Sequence, residues 1–407
     1  MKIIQGGVTA AKGFQATGAA AEIKYKNRND MALLYSECPC TVAGTYTTNV
    51  VKAAPVLWDK KVVEESEFAQ AVVVNAGIAN AGTGKEGMQY CEDTAKEAGK
   101  LLSIPADSVL VGSTGVIGMQ LPIDRIKNGI AKMVKTLGHS TEDGHLAATS
   151  IMTTDTISKE AAVQIDLDGK TVTVGGMSKG SGMIHPNMCT MLGYITTDVS
   201  IEKELLQEIL SADVQDTFNM ISVDGDTSTN DTLLCFANGL AGNTKITKKD
   251  DSYQKLAEAI HYVNETLAKM MAGDGEGATT RIEVKVIHAD TKEHARTLSR
   301  SAVSSSLTKA AVFGRDANWG RILCALGYSG VQFDPENMEL YYESIAGKIL
   351  VYKDGQTSGY DEAEATKILS EKEVTFTADM KMGEESATAW GCDLTYDYVK
   401  INADYRS

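Results

Sequence analysis

Positive charge, proline, aromatic residues and long apolar runs are all scarce in this sequence. Its 39 lysines and arginines face 54 aspartates and glutamates, a formal net charge of −15. Non-specific nucleic-acid binding and attraction to an anionic membrane both need basic surface, so neither is expected. No run approaches the ~18 apolar residues of a membrane-crossing helix. The opening MKIIQGGVTAAKGF has no apolar core of the secretory type, so no signal peptide is expected. With only 6 prolines in 407 residues, no proline-rich linker marks a domain boundary. Seven cysteines are odd in number and scattered; Cys38 and Cys40 form a C-P-C with no second pair at a zinc-like interval. Unpaired thiols suit a reducing compartment, and the expected location is cytoplasmic. Among six histidines there is no H-x-x-x-H pair, so no metal is expected, and no other cofactor is called for.

What is present alternates between strand-like and helix-like segments. FAQAVVVNAG (68–77), DSVLVGSTG (107–115) and TRIEVKVIHA (280–289) read as strands, and MELYYESIAGKILVYKDGQ (338–356) as a strand pair. The stretches 90–103, 201–218 and 251–274 have helical apolar spacing. The 121–138 segment adds Pro122 near its start and Gly138 at its end, which is helix punctuation. AAVQIDLDGKTVTVGG (161–176) alternates on both sides of Asp168-Gly169, the strongest hairpin signal in the chain. The mixture predicts an α+β protein.

The glycine-rich loops do not match phosphate motifs. GIANAGTGKEG (77–87) has Ala79 where a Walker glycine belongs and Glu86 where serine or threonine belongs. GSTGVIG (112–118) lacks the dinucleotide spacing. Both read as tight turns. VDGDTSTND (223–231) lacks the order of a calcium loop, so Asp224, Asp226 and Asp231 read as members of a hydrogen-bonded loop.

GSGMIHPNMCTML (180–192) poses a different question. Thr190 alone reads as the first residue of a strand. Were the Cys189–Thr190 peptide cut, Thr190 would gain an α-amine of pKa roughly 7.7–8.0 beside its own hydroxyl. Base and nucleophile would then share one residue. The hydroxyl can make that cut itself, by attacking the preceding carbonyl.

At this point a family pattern emerges. GGVTAAKGF (6–14), VAGTYTTNVVKAAPV (42–56), VVNAGIANAGTG (73–84), GSTGVIGMQLP (112–122) and IMTTDT (151–156) appear in order. They are followed by KGSGMIHPNMCTML (179–192), ISVDGDTSTNDT (221–232), GDGEGATT (273–280), VFGRDANWGRI (312–322) and KINADYRS (400–407). Over nearly its whole length the sequence resembles the ornithine acetyltransferase (ArgJ-type glutamate N-acetyltransferase) family.

The resemblance implies self-cleavage between Cys189 and Thr190 into an α chain, 1–189, and a β chain, 190–407, which build one intertwined catalytic unit and assemble as a heterotetramer. It implies layered helix–sheet–sheet–helix architecture, similar to the Ntn hydrolases but differently connected. The implied reaction moves the acetyl group of N-acetylornithine to glutamate through an acetyl ester on Thr190. Thr114 and Gly115 match the oxyanion hole; Thr153, Lys179, Thr190, Glu276, Asn402 and Ser407 match substrate-binding positions. Some members of the family also use acetyl-CoA. The competing reading is a self-processing aminopeptidase or amidase of related fold. The sequence departs from the family at Cys189, where alanine is usual, and at Gly193-Tyr194, where Ala-Phe is commoner. Ala11, Ile78, Gly82 and Ala317 replace commoner Pro, Asn, Cys and Pro.

Overall fold

The computed structural model describes residues 1–185 and 191–404. The chain divides into two compact units. The first comprises Met1–Gly180, Thr190–Gln215 and Thr227–Leu267; the second comprises Ser181–Cys189, Asp216–Asp226 and Ala268–Ser407. Each contains one sheet together with helices, which is the α+β class the sequence predicts.

The first unit is built on a nine-stranded sheet. Its path runs Lys2–Ile4, Lys159–Leu167, Lys170–Lys179, Leu192–Thr197, Thr232–Ala237, Met31–Tyr46, Ala69–Asn75 and Val109–Ser113, with Phe14–Ala19 beside Met31–Tyr46. Two pairings are parallel: Leu192–Thr197 with Thr232–Ala237, and Ala69–Asn75 with Val109–Ser113. Every residue of Ala69–Asn75 is buried, as a strand covered on both faces should be. Alternate side chains enter two cores. Val72, Val74 and Leu110 pack with Ala147 and Ala148 of one helix, while Ala71, Val73 and Val109 pack with Ala95, Ala98, Ile126 and Ile130 of two others.

The predicted hairpin forms at the expected place. Lys159–Leu167 pairs antiparallel with Lys170–Lys179, and Asp168 and Gly169 take φ of 53° and 79° between them, as a type I′ turn requires. The helix expected over 121–138 is shorter, Ile123–Met133. Tight turns follow it, and Gly138 instead exchanges backbone hydrogen bonds with Ala16. A tertiary pairing overrides the local helical pattern there.

The second unit carries a seven-stranded sheet. Its order is Gln356–Thr357, Gly347–Lys353, Glu339–Ser344, Glu373–Asp379, Arg281–Ala289, Glu385–Cys392 and Ile221–Ser222. The helix Lys292–Ser304 lies against Arg281–Ala289 and Glu385–Cys392, burying Ala295, Leu298, Ala302 and Val303. Among the described residues no helix is long and apolar enough to cross a membrane.

Candidate active site

In the first unit the strand Val109–Ser113 runs straight into Thr114-Gly115, and the local hydrogen bonds explain why the turn is sharp. Thr114 N–H donates to Asn75 O at 3.0 Å, Val116 N–H to Gly77 O at 3.1 Å and Ala79 N–H to Val116 O at 2.9 Å. Asn230 Nδ2 donates to Ser113 O at 2.8 Å. Gly115 has φ +128°, and a Cβ there would lie 2.3 Å from the Gly77 carbonyl carbon, so only glycine fits. Among the described residues no group accepts the Gly115 N–H. An amide held this firmly and left with its proton to give is the raw material of an oxyanion hole.

The hairpin's second strand delivers Lys179, 3% exposed, to the same place. Its Nζ donates to Thr153 Oγ1 at 2.9 Å and Thr114 Oγ1 at 3.3 Å, and lies 3.8 Å from Asp155 Oδ2. Asp155 is the hub beneath. It accepts from Lys159 Nζ at 2.8 Å, Gly180 N–H at 2.7 Å and Thr153 N–H at 3.1 Å. Burial by itself would raise this carboxyl, but the Lys179 and Lys159 charges, with the bonds from Lys159 and Gly180, hold it well below the usual range. Two lysines and one ionised aspartate leave the cluster with a net positive charge, suited to a substrate carboxylate. Thr114, Gly115, Thr153 and Lys179 are therefore brought together.

Thr190, Cys189 and Ser407 lie outside the described residues. Their neighbour Met191 is anchored in the first unit: its N–H donates to Asp231 Oδ1 at 3.1 Å, its carbonyl accepts from Thr232 N–H at 3.1 Å, and Leu192 pairs with Lys179. Asp231 is fully buried. Burial pushes its carboxyl well above the usual range, although the Met191 N–H, the Thr47 hydroxyl and the Lys179 charge pull it down.

The second unit brings Glu276 and Asn402 together. Asn402 Nδ2 donates to Glu276 Oε2 at 2.7 Å and to Tyr398 O at 3.0 Å. Glu276 N–H donates to Ser181 O at 2.9 Å. A Cβ on Gly182 would lie 2.4 Å from the Glu276 carboxyl carbon, so Gly182 makes room for it. Asp224 clamps the chain nearby, accepting from Met183 N–H at 2.6 Å, Ile184 N–H at 2.8 Å and Tyr398 OH at 3.2 Å. The loop 223–231 is thus a hydrogen-bonding loop, as its sequence suggests. His185 Nδ1 lies 3.2 Å from Ser222 Oγ. Burial, with the Arg300 and Lys309 charges, lowers its pKa against the opposing pull of Asp226. It is thereby favoured as neutral imidazole. Among the described residues no cluster of three metal-ligating side chains occurs.

Asp155 and Lys159 escape sequence reading although they hold the first cluster in place. Their one signal is an acid and a base four residues apart leading into a strand, a spacing too common to single out.

A turn that offers a fixed amide beside a buried ammonium has, first, the parts that the acyl-transfer class of site needs. The family follows from comparison with known proteins. The ArgJ family model matches residues 15–407, and the chain belongs to that family. Arginine biosynthesis bifunctional protein ArgJ of Symbiobacterium thermophilum is 52% identical over 409 residues, covering 100% of both chains. The protein of the same name from Thermotoga neapolitana is 50% identical over 397 residues, 97% of this chain and 99% of that one. Among solved structures, ornithine acetyltransferase of Mycobacterium tuberculosis complexed with ornithine is 37% identical, with a TM-score of 0.42; the match spans 47% of this chain and 99% of that one.

Proposed function

We propose that this protein is the arginine-biosynthesis acetyltransferase that moves the acetyl group of N2-acetyl-L-ornithine to L-glutamate, with acetyl-CoA as a second donor. The observation that carries this reading is the buried Lys179 joined to both Thr114 and Thr153 beside the Gly115 amide. In the proposed cycle Thr190, freed by cleavage after Cys189, is the nucleophile and its α-amine the base. Its oxygen attacks the acetamide carbonyl. Because Lys179 donates to Thr114 Oγ1, the Thr114 proton remains free to point at the developing oxyanion, together with the Gly115 N–H. A donor so placed lowers the barrier by about 3–4 kcal/mol. Ornithine leaves, an acetyl ester stays on Thr190, and the glutamate amine reverses the steps.

Lys179, with Thr153 beside it, takes the α-carboxylate common to both amino acids. Glu276, held by Asn402, takes an ammonium, and Ser407 completes the substrate-binding set. The 1–189 and 190–407 chains associate as a heterotetramer in the cytoplasm. The six described cysteines are unpaired, which suits that compartment.

Denaturing intact-mass measurement tests the reading. Two fragments of 189 and 218 residues are expected, the second gaining one acetyl group on exposure to N-acetylornithine and losing it to glutamate. An uncut chain with no acetyl adduct overturns the mechanism. Loss of the acetyl group to water, with glutamate ignored, would make the enzyme an amidase instead.

A further inference from the structure

The loop between Ala19 and Met31 carries three cations, Lys24, Lys26 and Arg28, in a protein otherwise rich in acid. The loop is built rather than loose. Buried Asp30 accepts from Ala21 N–H at 2.7 Å and Ile23 N–H at 2.6 Å, and its backbone N–H and carbonyl bond to Ala19 and Ala76. Both flanks of the catalytic turn are reached from it. Lys24 lies against Gly77, 3.2 Å from where a Cβ would stand, and Gly77 is the residue on which Gly115 packs. Arg28 Nη2 donates to the carbonyl of Met152 at 2.6 Å, next in sequence to Thr153.

Two features point to a ligand. The Lys24 ammonium is shielded from solvent, yet no described residue accepts a hydrogen bond from it. Its near neighbour is the Tyr25 ring, 4.8 Å away, and the Arg28 guanidinium lies 5.7 Å from the same ring. A buried ammonium without an acceptor is costly unless an anion joins it. Tyr25 itself is 39% exposed, an aromatic face flanked by cations. From this loop basic surface continues. Arg125 Nη1 donates to Glu22 O, and Arg125, Asn128, Lys132 and Lys135 line a cleft of about 560 Å³. One amino-acid carboxylate cannot use so many cations.

We infer that the loop 20–30 and the basic residues of the helix Ile123–Met133 and of the turn that follows it form the docking site for the phosphate-bearing, base-bearing end of an acyl-coenzyme A donor, with Tyr25 stacking on the base. This rests on the acyl-transfer reading above. The thioester would then enter the same cycle as the acetamide. The Thr190 oxygen forms a bond to the thioester carbon, the C–S bond breaks, and the hydroxyl proton leaves on the departing thiol. Glutamate's amine next forms the C–N bond, the ester C–O bond breaks, and the amine proton returns to the Thr190 oxygen.

The test compares two donors on the intact, self-cleaved enzyme, using Tyr25→Ala and the pair Lys26→Glu/Lys135→Glu. With acetyl-CoA and glutamate, KM for acetyl-CoA is expected to rise by about tenfold or more, the scale of a lost base-stacking contact. With N-acetylornithine and glutamate, the rate is expected to stay within about twofold, since neither set touches the buried cluster. 3′-Phosphoadenosine 5′-phosphate should compete with acetyl-CoA better than pyrophosphate does, and Tyr25→Ala should erase that difference. An unchanged KM for acetyl-CoA overturns the proposal. So does a wild-type enzyme that transfers from N-acetylornithine but neither uses acetyl-CoA nor binds coenzyme A. An equal rise in the glutamate KM with both donors also overturns it, assigning the loop to the acceptor. Transfer from neither donor in the wild type would instead defeat the underlying reading.

Discussion

Lys179 reaches its two threonines from a strand in which every residue from Val172 onward is buried, whereas Asn402 reaches Glu276 from the helix Tyr396–Ala403, which has no buried residue. The first cluster is made of charges that exclude water and satisfy one another. The second is one carboxylate and one amide, with Tyr396 83% and Val399 64% exposed on the same helix. A dry cluster of paired charges is rigid because moving any member strands a buried charge. A hydrogen bond on an exposed helix can open and close at little cost. The contrast fits a division of labour in the proposed cycle. The carboxylate end and the oxyanion are common to donor and acceptor and gain from fixed partners, while the variable part of each amino acid gains from an adaptable one.

The largest effect should come from breaking the rigid half. Lys159 is fully buried and touches Asp155 at 2.8 Å without reaching either threonine in the pattern formed by Lys179. Lys159→Met leaves Asp155 short of one of its two cations. We expect a loss of about 3–5 kcal/mol in urea unfolding, the scale for stranding a buried charge. A loss below about 1 kcal/mol would mean that Lys179 and the Gly180 and Thr153 amides suffice for Asp155.

The next effect is expected at Asp231, which holds Met191 but does so as a carboxyl that burial pushes well above its ordinary pKa. The unfolded chain releases this proton near pH ~3.9, while the folded chain keeps it to higher pH. The stabilising contribution is thus complete below that unfolded value and is lost as pH rises through the folded pKa, by at most about 1.4 kcal/mol per pH unit. Asp231→Asn keeps an oxygen for the Met191 N–H and cannot ionise. Wild type and variant should be close in stability near pH 4 and diverge above it, with the variant the more stable at pH 7. Parallel urea midpoints across that range would show that Asp231 carries no such perturbation.

Where short-range physics decides, the fold can be read directly from the sequence. Asp168-Gly169 dictates its turn, and the apolar periods of 251–274 and 280–289 become Asp251–Gly273 and Arg281–Ala289. Long-range pairing is not legible in this way: Gly138 joins Ala16 and ends a helix early. The Thr114-Gly115 turn is a similar case. Gly115 looks like any turn glycine until the Gly77 carbonyl is seen lying where its Cβ would be. Family resemblance alone marks Lys179 in the sequence, because burial of a lysine depends on Asp155, which is 24 residues earlier in the chain. Lys24 and Arg28 gave no signal at all as an ordinary basic loop.

The smallest effect tests the adaptable half. In Asn402→Ala, water can replace the amide at Glu276, so stability should fall by about 1 kcal/mol or less. Substrate binding is another matter. Without the 2.7 Å bond from Asn402 the Glu276 carboxylate is free to turn, and a substrate ammonium must then bear the cost of ordering it. If Asn402 merely orients Glu276 for binding, donor and transition state lose the same interaction. KM should then rise by about tenfold with kcat nearly unchanged. A fall in kcat at constant KM would mean instead that the Glu276–Asn402 pair acts chiefly in the transition state. The exposed helix would then be as preorganised as the buried strand, and the division of labour between the two halves would not hold.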